Sequence, residues 1–403
     1  MNLLTLSWKN LINKPLNLFL NVVLFALGIG LVSFLLLVNK QLGDKFEKNL
    51  AGIDMVIGAK GSPLQLILSS MYHVDAPTGN IPLEAAKPFL NPKHPLIKTA
   101  IPLSLGDNYQ GYRIVGTSEK ILELYNAEVG EGKLWARDFE CIIGANVAAE
   151  QGLKLGSYFH SAHGLVHDDL MAHAHHDFIV TGILKPTGSV VDQLILTSTE
   201  TIWHVHEEEE SKEGAEPEEE KEPDITSILI QFKGNNFRTL SMPRAINENT
   251  NMQAASPAIQ LNQLYANIGA GEKALRWMAA LIIFVSMLSI FISLYSSLKE
   301  RKYELSIMRV MGASPGKNLA LILTEGLVLA AIGCVVGILL SHVGMSLLAG
   351  KLKEAYQYHF EPWMFLKEEG YLVLGGLVIG LIAALIPAIQ ASNTDISKTL
   401  SEG

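Results

Sequence analysis

The stretch LNLFLNVVLFALGIGLVSFLLLV, Leu16–Val38, decides the fold class because no charged residue interrupts it. Roughly 20 apolar residues in a helix span the ~30 Å hydrocarbon core of a bilayer. The stretch exceeds the apolar core of a cleaved signal peptide, which is about 7–15 residues long, and no small-residue cleavage site follows it. We therefore interpret it as a retained membrane helix.

Three further apolar blocks lie in the second half of the chain, at 274–298, 319–349 and 371–391. With the first block they predict four transmembrane helices, with bounds at 17–38, 274–298, 318–349 and 371–391. Hydrophobic residues make up 49% of the chain and charged residues 18%, whereas charged residues are about 25% of a soluble protein. We therefore expect a multi-pass membrane protein.

Polar residues within these blocks are scarce, and Arg276 and Glu325 are the main charged ones. We expect Glu325 either at the membrane interface beside Thr324 and Lys317, or deeper as a functional group. An ionisable side chain at the bilayer centre costs roughly 2.5–3.5 kcal/mol. No other polar side chain is expected to line the helices, so the sequence does not favour a hydrophilic pore.

The flanking charges predict the orientation. The amino-terminal flank carries Lys9 and Lys14, and the loop after the second helix is richer in basic residues: Lys299, Arg301, Lys302, Arg309 and Lys317. Basic loops remain in the cytoplasm. Segments 1–16, 299–317 and 392–403 are therefore expected to be cytoplasmic, and 39–273 and the short loop 350–370 extracytoplasmic, as in a bacterial inner-membrane protein.

The net charge of −9 is concentrated in one acidic segment, residues 207–224, which holds eleven acidic residues and two lysines. It contains almost nothing apolar, so we predict a disordered insertion. The rest of the chain is neutral overall, and nucleic-acid binding has no electrostatic support. The two cysteines, Cys141 and Cys334, lie in different predicted regions and cannot form an intrachain disulfide framework.

The segment 39–273 is predicted to be a mixed α/β domain whose strand order the sequence does not reveal. Apolar, β-branched runs predict strands at 53–59, 112–118, 140–147, 177–184, 192–198 and 226–232. Helices are predicted at 81–91 and 146–156, the second ending at a Gly156 cap. The flanks 39–52 and 261–277 are either outward extensions of the membrane helices or linkers, and Gly-Ala-Gly at 269–271 favours a linker.

A histidine-rich tract at 159–177 interrupts the α/β domain. His160, His163 and His167 would share one face of a helix. The further candidate metal ligands are His173, His175, His176, Asp177, His204 and His206. Imidazoles and carboxylates suit zinc, and also copper or nickel. The alternatives are a solvated insertion without a metal, or a pH sensor, since histidine titrates near 6.5.

The loop LKERKYELSIMRVMGASPGKN, 298–318, resembles the loop after the second membrane helix of the MacB/FtsX-like ABC transporter permeases. Residues 141–157 and 178–198 resemble the outer-domain core of that family. IPAIQASNTDISKTL at 386–400 resembles its usual ending, with Pro387, Ala391, Asp395 and Leu400 in place. Met311 departs from the family, where leucine is commoner.

The resemblance implies that this loop couples the permease to a cytoplasmic ATPase. The coupling residues that it implies are Arg301, Glu304, Leu305, Met308, Arg309, Gly312, Ala313 and Ser314. Helical spacing puts Leu305 and Met308 on one face and the charged residues on another. Two copies of a separate ATPase, carrying ATP and Mg²⁺, would then serve this chain, which lacks the G-x-x-x-x-G-K-[ST] motif and would hold no nucleotide itself.

The resemblance also implies a second copy of the chain and movement of the outer domain that acts on a lipoprotein, peptide, lipid or small toxic molecule. The alternatives are a non-transporting regulator of a cell-wall hydrolase, as in the cell-division members, or a zinc-responsive version of either machine. A periplasmic adaptor is a further expected partner. An enzyme is not favoured, because no nucleophile–base constellation and no H-E-x-x-H motif occur.

Small residues recur in the third and fourth predicted helices as G-x-x-x-G. The residues are Gly333, Gly337, Gly376 and Gly380. This spacing permits close helix approach, either within one subunit or across a dimer.

Overall fold

The computed structural model describes residues 3–163, 172–212, 223–234 and 236–393, with side chains except at 162–163, 172–176, 206–212, 268 and 355–356. Two compact units divide the chain. The helical unit comprises Met1–Gln41, Ile268–Lys351 and His359–Gly403. The α/β unit comprises Leu42–Asn267 and Leu352–Tyr358.

The chain begins with two helices, α1 (Leu3–Ile12) and α2 (Pro15–Leu50). Sequence patterning did not predict α1, which packs three leucines against the core of the helical unit. Pro15 begins α2, a position that tolerates its missing N–H. The helix continues past the membrane block, and Phe46 and Leu50 near its end pack into the core of the α/β unit. Of the two alternatives for residues 39–52, the helical extension is therefore the one observed, and the linker is not.

The α/β unit is built on a mixed sheet. Its strands are β1 (Met55–Ala59), β2 (Ile81–Pro82), β3 (Ile97–Tyr109), β4 (Tyr112–Thr117), β5 (Val129–Gly132), β6 (Glu140–Ile143), β7 (Tyr158–His163), β8 (Ala172–Leu184), β9 (Ile195–Thr197), β10 (Asp224–Ile225), β11 (Ser227–Phe232) and β12 (Met252–Ala255). Its helices are α3 (Pro63–Ile67), α4 (Leu83–Leu90), α5 (Lys120–Leu124), α6 (Ala145–Gln151), α7 (Thr199–Lys212) and α8 (Phe237–Asn249).

In the described residues, ten strands form one sheet in the order β12-β1-β11-β3-β4-β9-β6-β8-β5, with β7 pairing β3 and β8. The β4–β9 and β6–β8 pairs are parallel, and the other pairs are antiparallel. Strands β2 and β10 form a separate pair. Each of the six predicted strand runs overlaps a strand of the main sheet. The long strand β3 was not predicted, because Pro102 and Gly106 interrupt its apolar pattern.

Two local predictions in this unit were wrong. Helix α6 ends at Gln151, and Gly152 at φ +65° ends it, whereas the sequence placed the cap at Gly156. Both glycines adopt positive φ, so the pattern could not distinguish them. Within the predicted disordered segment, residues 207–212 continue α7 and Asp224 begins β10. Glutamates favour helix once a buried start exists; residues 213–222 lie outside the described residues.

Three long helices and one short helix follow the α/β unit in the sequence. They are α9 (Pro257–Glu300), α10 (Lys302–Val310), α11 (Pro315–Tyr356) and α12 (Lys367–Ser392). Helix α9 is continuous through Gly-Ala-Gly 269–271. Residues 261–277 are therefore an extension of the membrane helix and not a linker. Among the described residues, α2, α9, α11 and α12 are long and apolar enough to cross a membrane. The predicted fold class, four membrane helices with a mixed α/β domain between the first and second, is confirmed.

The expectation that no other polar side chain lines the helices was wrong. Among the described residues of α2, α9, α11 and α12, seven polar side chains besides Glu325 are at most 3% exposed inside the helical unit: Asn21, Ser33, Ser286, Asn318, Ser341, His342 and Glu369. An average over about 20 residues conceals single polar positions. Glu369 also lies just before the predicted apolar block, in the first turn of α12.

Candidate functional site

Helix α10 lies between two long helices and has two different faces. Leu305 is 1% exposed and belongs to the core of the helical unit, and Met308 packs against that core. The opposite stripe is apolar and exposed, at i, i+4, i+7 and i+8 spacing: Tyr303, Ile307, Val310 and Met311. Because one face is already buried inside the unit, only this stripe and its polar edges are available to another molecule.

The turn after α10 depends on glycine. Gly312 has φ +95°, a conformation that costs little without a Cβ. The Ala313 N–H donates to the Met308 carbonyl at 2.9 Å, and the Gly312 N–H donates to the Arg309 carbonyl at 3.0 Å. These bonds satisfy carbonyls at the helix end and direct the chain to Pro315, the first residue of α11. Glycine therefore sets the angle between α10 and α11.

Arg301, one of the predicted coupling residues, makes its described hydrogen bonds within the helical unit. Its Nη1 donates to Glu325 Oε1 at 3.2 Å, and its Nε donates to Glu304 Oε2 at 3.1 Å. The Asn10 amide also donates to Glu325 Oε1, at 2.7 Å. The Thr324 hydroxyl donates to the Ala320 carbonyl of its own helix. Glu325 therefore joins α1, the start of α10 and α11.

Some of the other predicted coupling residues bond within the helical unit, and others are exposed on its surface. Arg309 Nη1 donates to the Ser392 carbonyl at 3.4 Å, at the end of α12. Glu304 is 66% exposed at its side chain, Gly312 and Ser314 are exposed, and Ala313 is half-buried. Pro387 and Ala391 lie buried in α12, whereas Asp395 and Leu400 are outside the described residues.

The glycines of the two G-x-x-x-G motifs lie at contacts within the chain. A Cβ on Gly333 would meet Phe25, and one on Gly337 would lie 2.8 Å from the Ala26 carbonyl oxygen. On the fourth helix, a Cβ on Gly376 would lie 2.6 Å from Cys334 Sγ, and one on Gly380 would lie 3.0 Å from the Gly326 oxygen. These residues allow the backbones of α2, α11 and α12 to approach closely.

The far ends of α2 and α11 belong to the α/β unit. Asn49 of α2 accepts from the Val190 N–H at 2.8 Å and donates to the Tyr358 hydroxyl at 3.4 Å. That hydroxyl donates to the Tyr72 carbonyl at 3.1 Å, and burial raises the pKa of Tyr358. Lys353 pairs with Glu150 at 2.6 Å. Two helices, distant in sequence, thus share hydrogen-bond partners inside this unit.

The histidine tract is a strand where it is described. Strand β7 contains His160 and His163, so the predicted helical face was wrong. His160 Nδ1 lies 3.0 Å from Asp177 Oδ1 on β8, and His204 Nδ1 lies 3.3 Å from Asp138 Oδ2. The side chains of His163, His173, His175 and His176, the side chain of His206, and the whole of His167 lie outside the described residues.

Metal binding by this tract stays a prediction. Among the side chains that the structure describes, no group of three or more His, Cys, Asp or Glu could hold a metal ion. The two pairs each leave a histidine Nε2 unused by the carboxylate. In zinc sites a carboxylate commonly orients a ligating histidine in this manner.

Comparison with known proteins identifies both parts of the chain. The model of the MacB-like periplasmic core domain matches residues 18–267, and the model of the FtsX-like permease C-terminal domain matches residues 276–396. No curated protein matches the chain in sequence. One similar solved structure is the periplasmic region of MacB from Actinobacillus actinomycetemcomitans, with 12% identity and a TM-score of 0.35, covering 55% of this chain and 98% of that chain. The chain therefore belongs to the family of MacB/FtsX-like permeases.

Proposed function

We propose that this chain is the permease subunit of an ABC transporter complex that transmits force across the membrane. Helix α9 carries the proposal. It runs unbroken over 44 residues, from a start packed in the α/β core through Leu261 to Glu300, directly before α10. A helix of this length is about 66 Å long. Helix α9 has residues in both units, so it would carry a displacement of α10 along its length.

The orientation follows from the basic residues around α10. Lys299, Lys302 and Lys317 flank it, and four crossings would leave both chain ends on the same side of the membrane. Basic loops favour the cytoplasm. In this orientation α10 faces the cytoplasm of a bacterial cell, and the α/β unit is periplasmic.

The ATPase binds the exposed stripe of α10. Family members of this type typically work with a separate ATPase subunit. An exposed aromatic and methionine-containing stripe with a charged rim is the usual composition of an interface core, and a helix laid into a groove is a common recognition mode. Tyr303, Ile307, Val310 and Met311 form the core of this contact, and Glu304 and Ser314 lie at its edge.

The complex contains two ATPase subunits, which hold ATP and Mg²⁺, and two copies of this chain. Closure of the ATPases moves α10, and α9 carries the movement to the α/β unit. The Asn49–Tyr358 hydrogen bond in that unit joins the end of α2 to the segment that follows α11, so the two would move together. The cargo is a lipoprotein, peptide, lipid or small toxic molecule met outside the membrane.

Site-specific photo-crosslinking in cells tests this proposal. A photoreactive amino acid at Val310 or Met311 should crosslink to a protein whose peptides include a phosphate-binding loop of the G-x-x-x-x-G-K-[ST] type. Val378 and Met278 are matched controls, because they are 53% and 54% exposed on membrane helices. They should crosslink to lipid or not at all. Crosslinking of Val310 and Met311 to lipid alone would refute the docking surface.

Binding of the captured ATPase gives the quantitative test. The Val310→Ala/Met311→Ala double variant should lose at least about tenfold in affinity, since central apolar interface residues contribute more than about 1 kcal/mol each. The Val378→Ala/Met278→Ala double variant should bind like the unmodified chain. Affinity and stimulation of ATP hydrolysis would be measured with the chain in lipid nanodiscs.

A further inference from the structure

A buried polar cluster joins three helices of the helical unit. Its members are Ser33 of α2, Ser341 and His342 of α11, and Glu369 of α12, each at most 3% exposed. An ionisable group in a membrane helix is costly unless it is paired, and by default indicates function. Neither the resemblance nor the proposed coupling mechanism assigns a role to this cluster.

Hydrogen bonding fixes the tautomer of His342. Its Nδ1 lies 2.7 Å from the Pro362 carbonyl oxygen. A carbonyl oxygen can only accept, so Nδ1 carries a hydrogen. Nε2 is therefore either a lone-pair acceptor, in the neutral ring, or a second N–H, in the imidazolium. It lies 3.4 Å from Glu369 Oε1 and is completely buried.

The carboxylate of Glu369 is held on both oxygens. Oε2 accepts from the Leu366 N–H at 3.0 Å, at the start of α12. Oε1 lies 2.7 Å from Ser33 Oγ, which also lies 2.7 Å from Ser341 Oγ. If Glu369 were ionised and His342 neutral, two lone pairs would face each other across 3.4 Å in a buried site. One proton removes this repulsion, on either partner.

Aromatic rings enclose the imidazole on its remaining sides. Trp363 stacks on it with centroids 5.5 Å apart and planes 11° apart, and Phe365 lies 4.6 Å away. Both rings are more than half exposed, so they separate the imidazole from the surroundings as a single layer. Ring faces stabilise a cation. Among the contacts of His342 that the structure describes, Glu369 of α12 is the charged group that faces the imidazole.

We propose that His342 and Glu369 form a buried proton-binding site, which holds one exchangeable proton between Nε2 and Oε1. The proton is bound while α2, α11 and α12 pack together as in this structure. Loss of the proton leaves a carboxylate facing an imidazole lone pair, so it weakens this packing. Separation of the helices, in turn, releases the proton. The site therefore links the packing of the membrane helices to proton uptake, whatever the cargo.

Nitrogen NMR of the full chain in lipid nanodiscs, labelled at its 12 histidines, tests the site directly. A His342→Gln variant assigns the signal. Between about pH 5 and about pH 9, Nδ1 of His342 should keep its hydrogen while Nε2 alone responds to pH. Glu369→Gln should abolish that response, because the uncharged amide donates to Nε2 and has no carboxyl proton to share. Ser289→Ala, which removes a hydroxyl that donates to Asn21 outside the cluster, should retain it.

Two results would overturn the proposal. One is a His342 signal that titrates with averaged tautomers, as in exposed histidines. The other is a pH response that persists in Glu369→Gln. If Glu369→Gln does not fold, the His342 signal of the unmodified chain still tests the proposal. The proposed site requires a hydrogen on Nδ1 at every pH, so a signal that shows Nδ1 without its hydrogen would exclude it.

Discussion

Arg301 and Glu325 determine how the start of α10 is held in the helical unit. The guanidinium is 16% exposed and the carboxylate 2% exposed, so the pair is largely removed from solvent. Glu304 contacts the same guanidinium but is 66% exposed. Removal of one partner of a buried pair leaves an uncompensated charge, whereas loss of an exposed partner has little effect. The two acids on one arginine therefore allow a matched comparison.

Glu325→Gln should destabilise the full chain by about 3 kcal/mol, because Arg301 loses its buried counter-charge. Glu304→Gln should cost less than about 1 kcal/mol. Unfolding of the chain in lipid nanodiscs, followed by circular dichroism, measures both. Equal losses in the two variants would show that Glu325 does not act as the buried counter-charge.

At the scale of whole helices, glycine decides where α2 and α11 cross. A Cβ on Gly30 would lie 2.9 Å from the Gly337 oxygen, and one on Gly337 would lie 2.8 Å from the Ala26 oxygen. The obstacle is backbone in both directions, and backbone cannot rotate aside as a side chain can. A larger residue must separate the two helices. In the helical unit this close approach is made within one chain.

Gly337→Ala should therefore destabilise the protein by about 1–3 kcal/mol through overpacking. The control is Gly375→Ala on α12, where a Cβ would have no heavy atom within 4 Å. This variant should be neutral or stabilised by at most about 1 kcal/mol, since alanine is the better helix former. Thermal unfolding in nanodiscs would distinguish them, and a neutral Gly337→Ala would contradict the crossing.

At the scale of the whole molecule, ends of three membrane helices belong to the α/β unit. Phe46 of α2 makes edge contacts with Tyr72 and with Tyr265 of α9, at 5.1 and 5.4 Å. The segment Leu352–Tyr358 at the end of α11 is part of the same unit. Asn49 connects these parts by polar bonds. The ends of the three helices therefore share packing and hydrogen-bond partners within this unit.

Asn49→Ala should raise amide hydrogen exchange in segment 352–358, because Tyr358 loses a donor and the buried Val190 N–H loses its acceptor. An unsatisfied buried group costs about 1–3 kcal/mol. Asn249→Ala is the control, since the Asn249 amide bonds only a carbonyl of its own exposed helix end. Mass spectrometry of the full chain in nanodiscs measures the exchange. Unchanged protection of 352–358 in Asn49→Ala would refute the connection.

The sequence by itself determined the membrane helices, the mixed α/β class and the family. Each of these depends on local composition, on spacing or on a motif, and partition into a bilayer depends on the sum over about 20 neighbouring residues. The runs that form β1, β4 and β11 were recognisable for the same reason, because period and β-branching are local properties.

Only the tertiary structure decided the partners. Glu325 meets Arg301 and Asn10, and His342 meets Glu369 and Pro362, across separations of many residues in the chain. The sequence also could not predict the strand order of the sheet, or that Leu305 and Arg301 face the inside of the helical unit. Which polar side chains meet depends on where helix backbones cross, and crossings such as Gly30 with Gly337 are set by non-local packing.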